Sequence, residues 1–529
     1  LLANKSKANP NGSLDEIRSY LSLNETEKKA KVFSKLNFQD ETITNSEVKT
    51  NLLFKIDLSN YATSILVNPL FDNWIDFQIN STNTLIYAIR TVKKSVHPDK
   101  ILETEIIVYN LVSGTSNVLK AKDGIRLSNV LVSDDEKYMV YAESVIGSVK
   151  NATYYMAPLA KLTEAKSIPI DRVITQMQFN KSSSKLFFSM QDHGGAPLLS
   201  YQLSSGEVKF IRNDISEGIL GFDELNDSFV YGKTFIQNPF EIYLWDGEKE
   251  EQISNLNSEW LKNKKLSFPE KHSFKNEKGL IIDYWVMKPI GFDTYKKYPL
   301  MLEIHGGPTA MWGTGELSMW HEFQYYAAKG YGIVYANPRG SGGYGTDFMA
   351  ANVKDWGKGP MDDVMKALDL TIKEGWADTS RLAVTGGSYA GYLVSYIIGH
   401  TNRFKVACAQ RGVYELSTFF GEGNAWRLVP NYFGGYPWEK TTKQLLDKES
   451  PLTYVQQIKT PLIIFHGEVD LRTGVIQSEM LYKSLKVLNR EVEYVRHPGA
   501  SHEITRSGNN RQRIDQMLRT YEYFSRFIK

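Results

Sequence analysis

A chain of 529 residues is longer than one hydrophobic core usually serves, so two or more domains are expected. Its 42% apolar and 23% charged residues are ordinary for a globular protein, and no apolar run approaches the ~20 residues of a membrane-spanning helix. A formal charge of +2, from 62 basic and 60 acidic residues, gives no global attraction to nucleic acid or an anionic membrane.

The first residues are polar and lack a basic-then-apolar targeting pattern. Ser13-Leu14-Asp15-Glu16 has capping-box spacing and predicts a helix running toward Leu23, within an N-terminal helical or extended segment over 1–29. From 30 to 268 short alternating strands recur between Gly, Asn, Asp and Ser turns. One strand type appears as Leu53–Leu58, Ile107–Leu111, Leu199–Leu203 and Ile242–Trp245. A second begins at Asp76, Val132, Met177 and Gly221 and leads to Leu85, Met139, Leu186 and Phe229. About five units are visible, and their spacing of roughly 40 to 55 residues is that of four-stranded propeller blades. An irregular β-sandwich is the alternative, and the blade number stays open.

From 269 to 529 the pattern changes to apolar strands alternating with amphipathic helices, which predicts a mostly parallel, doubly wound sheet of the α/β-hydrolase kind. The expected strands are Leu300–Ile304, Gly332–Ala336, Leu382–Thr385, Val406–Ala409, Leu462–Phe465 and Val492–Val495. Helices are expected over Met361–Lys373, Ser388–Gly399, Gly474–Leu488 and Gln512–Phe527. Cys408, the only cysteine, lies in an apolar run, where a buried structural thiol is expected. Having no partner for an intramolecular disulfide, it favours a reducing, cytoplasmic setting.

The chemistry gathers at the predicted strand ends. Leu302-Glu303-Ile304 leads into His305-Gly306-Gly307-Pro308, a glycine-rich turn able to aim a backbone N–H at a developing oxyanion. Leu382–Thr385 runs directly into Gly386-Gly387-Ser388-Tyr389-Ala390-Gly391, the strand, sharp turn and helix of a nucleophile elbow; Ala390 replaces the last glycine of G-x-S-x-G, which predicts a slightly tighter turn. Ser388 is the candidate nucleophile, and the N–H of Tyr389 is a second oxyanion donor. Later strands end at Gly467-Glu468-Val469-Asp470 and at His497-Pro498-Gly499-Ala500-Ser501-His502. Asp470 is preferred over Glu468 as the acid, and His502 over His497 and His466 as the base. Gly340–Gly345 matches G-x-G-x-x-G only formally, since Asn337-Pro338-Arg339 separates it from the strand, and no H-E-x-x-H zinc pattern completes itself. No cofactor or metal is expected.

These motifs carry a resemblance. His305–Pro308, Asn337–Gly345, Gly386–Tyr392, His466–Arg472 and Gly499–Glu503 resemble, in order, the prolyl oligopeptidase family of serine peptidases, most closely its acylaminoacyl-peptidase branch. The resemblance implies that Gly307 supplies the first oxyanion donor and that Arg472 holds a substrate carbonyl beside the scissile residue. It also implies that the propeller-like domain caps the site and admits only short peptides. Phe419, Phe420 and Trp426 are candidates for an apolar specificity pocket, with core packing as the alternative. The expected function is hydrolysis of short or N-acylated peptides through an acyl-enzyme. Rivals are a dipeptidyl- or tripeptidyl-peptidase, for which Glu422 is a candidate anchor of the free amine, a carboxylesterase, and a binding protein over a dead hydrolase domain. Neither nucleic acid nor membrane is an expected partner, and self-association is left open.

Overall fold

The computed structural model describes residues 12–22, 32–45, 48, 51–66, 73–94, 97–214, 216–315 and 320–528. The first helix, Leu14–Ser22, opens as its sequence predicts: the Ser13 N–H donates to Glu16 Oε2 (2.7 Å) and the Glu16 N–H to Ser13 Oγ (3.3 Å). A small ribbon pairs Phe54–Ile56 with Thr63–Ile65, and four four-stranded antiparallel sheets follow over 74–121, 125–167, 174–212 and 217–252. Each strand pairs with its neighbours in sequence, as in a propeller blade.

The repeat seen in the sequence has a hydrogen-bonding cause. Asn80 Oδ1 accepts the N–H groups of Thr84 and Leu85, both at 2.9 Å, and Asn180 Oδ1 accepts those of Ser184 (2.9 Å) and Lys185 (2.8 Å). Each asparagine thereby closes the tight turn between the first two strands of its sheet. Side-chain alternation then stacks the sheets. Along Lys185–Met190, Leu186 and Phe188 pack with Val140 and Tyr154 of the preceding sheet, whereas Phe187 packs with Phe222 and Phe229 of the following one. A central strand buried on both faces is the result, and the sheets succeed one another face to face in a propeller-like array. Glutamine bridges reinforce this: Gln78 exchanges hydrogen bonds with Val132 N (2.6 Å) and O (3.0 Å), and Gln176 with Phe222 N (3.0 Å) and O (2.5 Å).

The C-terminal half is one eight-stranded sheet in the order Pro269–Lys275, Ile281–Met287, Gly332–Ala336, Tyr298–Ile304, Ala377–Gly387, Val406–Gln410, Leu462–Gly467 and Val492–His497. Its first two strands run antiparallel to their neighbours and the other six are parallel. Helices Lys358–Lys373, Tyr389–His400 and Ile476–Val487 cover one face, and Trp320–Ala328 and Asn510–Phe527 the other. Val364, Ala367, Leu368 and Thr371 are the buried stripe of the first of these helices, as their spacing predicts. Gly332–Ala336 recurs unchanged, Leu382–Thr385 grows to Ala377–Gly387, and the other expected strands gain one or two residues. The opening hairpin 269–287 and the helices Trp320–Ala328, Leu416–Glu422, Leu428–Phe433 and Lys440–Glu449 were not expected.

The two halves meet by close backbone approach. The Gly315 N–H donates to Gly194 O (3.1 Å), and Asp171 receives the Thr346 N–H (2.7 Å) and hydroxyl (2.8 Å). These contacts hold the stacked sheets against the carboxyl ends of the parallel strands, where the candidate site lies. No helix among the described residues is long and apolar enough to cross a membrane.

Candidate active site

The strand Ala377–Gly387 ends at Ser388, whose φ of 63° and ψ of −125° lie outside the helical region, and the helix Tyr389–His400 starts at the next residue. Ser388 is therefore the pivot of the turn and not the helix's first residue, as the expected span Ser388–Gly399 had it. For a side chain larger than hydrogen such a conformation costs roughly 1–3 kcal/mol and persists only where the surroundings impose it. Here the Ser388 N–H donates to Gln410 O (2.8 Å) on the adjacent strand, and Ser388 O accepts from Tyr392 N (3.1 Å). Close packing completes the constraint: a β-carbon on Gly386 would lie 2.6 Å from Ala390 Cβ and 2.8 Å from Ile304 O. The Ala390 methyl thus occupies the space that Gly386 leaves, which accounts for alanine where the pattern has its last glycine.

Ser388 Oγ lies 2.9 Å from His502 Nε2, and His502 Nδ1 lies 2.7 Å from Asp470 Oδ2. The two partners arrive on loops after Leu462–Gly467 and Val492–His497, and both are buried. Asp470 is held from several sides. Oδ1 accepts the N–H groups of Arg472 (2.9 Å) and Thr473 (3.0 Å), and Oδ2 also lies 3.3 Å from the Thr473 hydroxyl and from His466 Nε2. Burial alone would raise its pKa, but the hydrogen bonds from His466 and His502 prevail and keep the carboxyl well below the usual range. Burial pushes His502 down to about 4, against the pull of Asp470, so its imidazole is neutral at neutral pH and ready to accept a proton. Glu468 instead receives the Gly499 N–H (3.3 Å) and pairs with Arg496 (3.5 Å), while His497 stacks on Phe465. His466 is bonded to Ser478 Oγ (2.7 Å) and Thr473 O (2.6 Å).

The turn 305–308 packs onto the elbow, for a β-carbon on Gly306 would stand 2.9 Å from Gly387 O and 3.3 Å from Ser388 Cβ. Gly307 has φ of 120°, and a side chain there would collide with the N–H groups of Thr309 (2.4 Å) and Ala310 (2.5 Å), so only glycine fits. His305 braces the turn through Ser341 Oγ (2.9 Å), and Gly342 N donates to the carbonyls of Thr309 and Ala310, both at 3.1 Å. The segment 337–345 is accordingly a support for this turn. Its Arg339 is clamped by Asp363 through Nε (2.8 Å) and Nη2 (2.7 Å).

Arg472 projects beside this constellation and pairs with Glu41 Oε1 (2.9 Å), which also accepts from Asn424 Nδ2 (3.2 Å). Glu41 comes from an N-terminal segment that crosses here: its carbonyl accepts the Leu471 N–H (3.2 Å), and the Gln39 amide donates to Glu422 O (2.6 Å). Glu422 itself has a buried carboxylate with no hydrogen-bond partner among the described residues on either oxygen, while the Gln477 amide is engaged with Glu415 O (3.0 Å). Burial pushes Glu422 up to about 8, with the charges of Asp470 and Glu415 adding. Phe419 belongs to the core, whereas Phe420 and Trp426 meet edge to face (5.6 Å) in a cluster with Tyr436 and Trp438.

A cavity of about 480 Å³ opens beside Ser388 and His502. Gln191 of the stacked sheets, Glu303, Arg411 and Arg506 line it, none of which the sequence reading singled out. Thr473 was also missed; its hydroxyl bridges Arg411 O (3.0 Å) and His502 Nδ1 (3.2 Å), and its place three residues after Asp470 was the available signal.

The chain resembles known proteins in sequence and in fold. The family model described as the prolyl oligopeptidase family matches residues 317–529. An uncharacterized peptidase, YuxL, of Bacillus subtilis (strain 168) is 38% identical over 302 residues, 57% of this chain and 45% of that protein. Dipeptidyl-peptidase 5 of Schizosaccharomyces pombe is 30% identical over 203 residues, 38% of this chain and 29% of that protein. The matches thus span less than half the length of these relatives. Among solved structures, the acylaminoacyl peptidase of Pyrococcus horikoshii superposes with a TM-score of 0.71 at 23% identity, covering 90% of this chain and 85% of that one. A putative dipeptidyl aminopeptidase IV from Bacteroides ovatus gives 0.67 at 16% identity, covering 89% and 69%. At these identities the structures share the fold.

Proposed function

Because the chain carries a prolyl oligopeptidase family domain over residues 317–529, we propose that the protein is a serine peptidase that hydrolyses short peptides, N-acylated ones among them, through an acyl-enzyme. The relay from Ser388 Oγ through His502 to Asp470, at 2.9 and 2.7 Å, carries this reading. Ser388 Oγ attacks the scissile carbonyl as His502 Nε2 takes its proton, and Asp470 stabilises the resulting imidazolium. The N–H groups of Gly307 and Tyr389 receive the oxyanion, each worth about 10²–10³ in turnover. As the C–N bond breaks, His502 returns the proton to the leaving nitrogen. Water then repeats the sequence on the ester, releasing the acid and regenerating Ser388. Arg472 holds a substrate carbonyl beside the scissile residue, exchanging its exposed ion pair with Glu41 for that contact. The stacked sheets between 74 and 252 limit entry to short chains, a role supported by Gln191 at the cavity wall. The single buried Cys408 suits a reducing, cytoplasmic setting.

A second reading, release of dipeptides from a free N-terminus, is favoured by one observation. The buried Glu422 carboxyl lacks a partner on either oxygen among the described residues, and a substrate ammonium would supply the counter-charge that its ionisation needs. The two readings part on matched peptides with acetylated and free N-termini, offered to the wild type and Ser388→Ala with products read by mass spectrometry. Release of an acetylated residue supports the first and release of free dipeptides the second. Cleavage of aryl esters alone would leave a carboxylesterase, and peptide cleavage surviving in Ser388→Ala would refute the nucleophile.

A further inference from the structure

The cavity beside Ser388 holds one strong charge that the mechanism above does not use. Arg411 follows the strand Val406–Gln410 with φ of 41°, fixed by its N–H to Phe465 O (2.6 Å) and by the Thr473 hydroxyl on its own carbonyl (3.0 Å). Its guanidinium lies on Gly387, the residue before the nucleophile: a β-carbon there would stand 3.2 Å from Cζ and Nη2 and 3.3 Å from Nη1. Near-equal distances to three atoms of a planar group mean that a face of it covers the glycine. Arg411 is 5% exposed, lines the cavity, and has no hydrogen-bond partner among the described residues on Nε or Nη1.

A buried cation without a hydrogen-bonded counter-charge is costly, and among the described residues no acid bonds Arg411 directly, although the charges of Asp470, Glu503 and Glu322 favour it from a distance. Asp470 is committed to His502 and to two backbone N–H groups. Glu503 pairs with Arg506, itself a cation at the cavity wall. Glu322 and Glu303 are buried carboxyls whose ionisation burial opposes, Glu322 being pushed up to about 7 and Glu303 well above its usual value. Arg411, Arg472 and Arg506 line the cavity against Glu303 and Glu503, which makes the pocket electropositive, although Nε and Nη1 of Arg411 are themselves enclosed.

From this geometry we infer that Arg411 is an anion subsite on the leaving-group side of Ser388, and that it takes the free α-carboxylate of the peptide fragment being released. His502 gives its proton to the leaving nitrogen, so that fragment departs past His502, where the cavity continues to Glu503, Thr505 and Arg506. A guanidinium fork matches a carboxylate in two parallel hydrogen bonds, which an amide or ester cannot reproduce. The cavity of about 480 Å³ is shared with the acyl side, since Gly307 and Arg472 also line it, so the released fragment must be short. The favoured substrates are then short peptides whose C-terminus lies just beyond the scissile bond. This inference rests on the serine-peptidase reading and narrows its substrate class.

The test uses N-acetylated tripeptides of one sequence, ending in a free carboxylate or a carboxamide, with the wild type, Arg411→Gln and Arg411→Lys. The wild type is expected to favour the carboxylate form roughly tenfold to a hundredfold in kcat/KM. Arg411→Gln collapses the ratio to within about threefold, and Arg411→Lys, which keeps the charge but not the fork, retains part of it. Labelling of each variant by a fluorophosphonate reports that it is folded, and should one not fold, the wild-type ratio still decides. Equal turnover of both forms by the wild type overturns the inference, as does a preference that persists in Arg411→Gln. A wild type that neither labels nor cleaves either peptide fails the serine-peptidase reading instead, and the subsite falls with it.

Discussion

Replacing Asp470 with asparagine removes one charge and almost no volume, yet the surroundings dictate how the amide must sit. Two backbone N–H groups, of Arg472 at 2.9 Å and Thr473 at 3.0 Å, point at Oδ1 and require an acceptor there. The amide oxygen takes that position, and its NH₂ is forced to the Oδ2 side, 2.7 Å from His502 Nδ1. Facing a donor, Nδ1 becomes an acceptor, and the ring proton moves to Nε2. That nitrogen lies 2.9 Å from Ser388 Oγ and can no longer take the serine proton. The wrong tautomer and the lost imidazolium stabilisation together reduce kcat by about 10⁴-fold in triads of this geometry. The assay is steady-state hydrolysis of a short peptide anilide by Asp470→Asn, with circular dichroism and thermal denaturation as controls for folding. A loss below about tenfold, in a folded variant, would refute the claim that Asp470 sets the tautomer of His502.

Gly306→Ala places a methyl group 2.9 Å from Gly387 O and 3.3 Å from Ser388 Cβ, so the turn must withdraw from the elbow. A fall of about 10²–10³ in kcat with KM little changed is expected from steady-state kinetics, the signature of a lost oxyanion donor. Acidification tests His502. Its folded pKa of about 4 lies below the unfolded value of about 6.5, so its contribution to stability is present above that value and is lost as pH falls toward 4. The base likewise stays free until that range, and the acid limb of kcat/KM should lie below about pH 5.5, whereas a limb at about 6.5 or higher would contradict the burial assigned to it. Arg339→Ala leaves Asp363, 1% exposed, without its cation; a loss of about 3–5 kcal/mol is expected, read as a lower denaturation midpoint.

The parts of this protein legible in its sequence are those that chain neighbours dictate. The strand Ala377–Gly387, the turn at Ser388 and the following helix form one continuous run, and the acid and base each follow an apolar strand closely enough that order along the chain implies convergence. The asparagine-closed turns at Asn80 and Asn180 repeat for the same local reason. What escaped was set by tertiary contact. Lys271 and Asp283 interrupt the apolar pattern of the hairpin 269–287, although they pair with one another at 2.9 Å across it. The helices Leu416–Glu422 and Leu428–Phe433, of seven and six residues, are too short to present a period. Arg472 finds Glu41 across a separation of 431 residues, and Gln191 reaches the cavity from the other half of the molecule. Arg411 stands at the end of an apolar strand, where sequence offers no hint that its guanidinium turns back over Gly387.

The central claim is that one serine, in this relay, forms a covalent acyl intermediate. Its most direct test is to treat the protein with a fluorophosphonate, digest it, and locate the adduct by tandem mass spectrometry, beside Ser388→Ala treated alike. The account predicts a single adduct on Ser388 and none in the variant. An adduct on another residue, or an unmodified Ser388 in protein that still cleaves peptides, would contradict it.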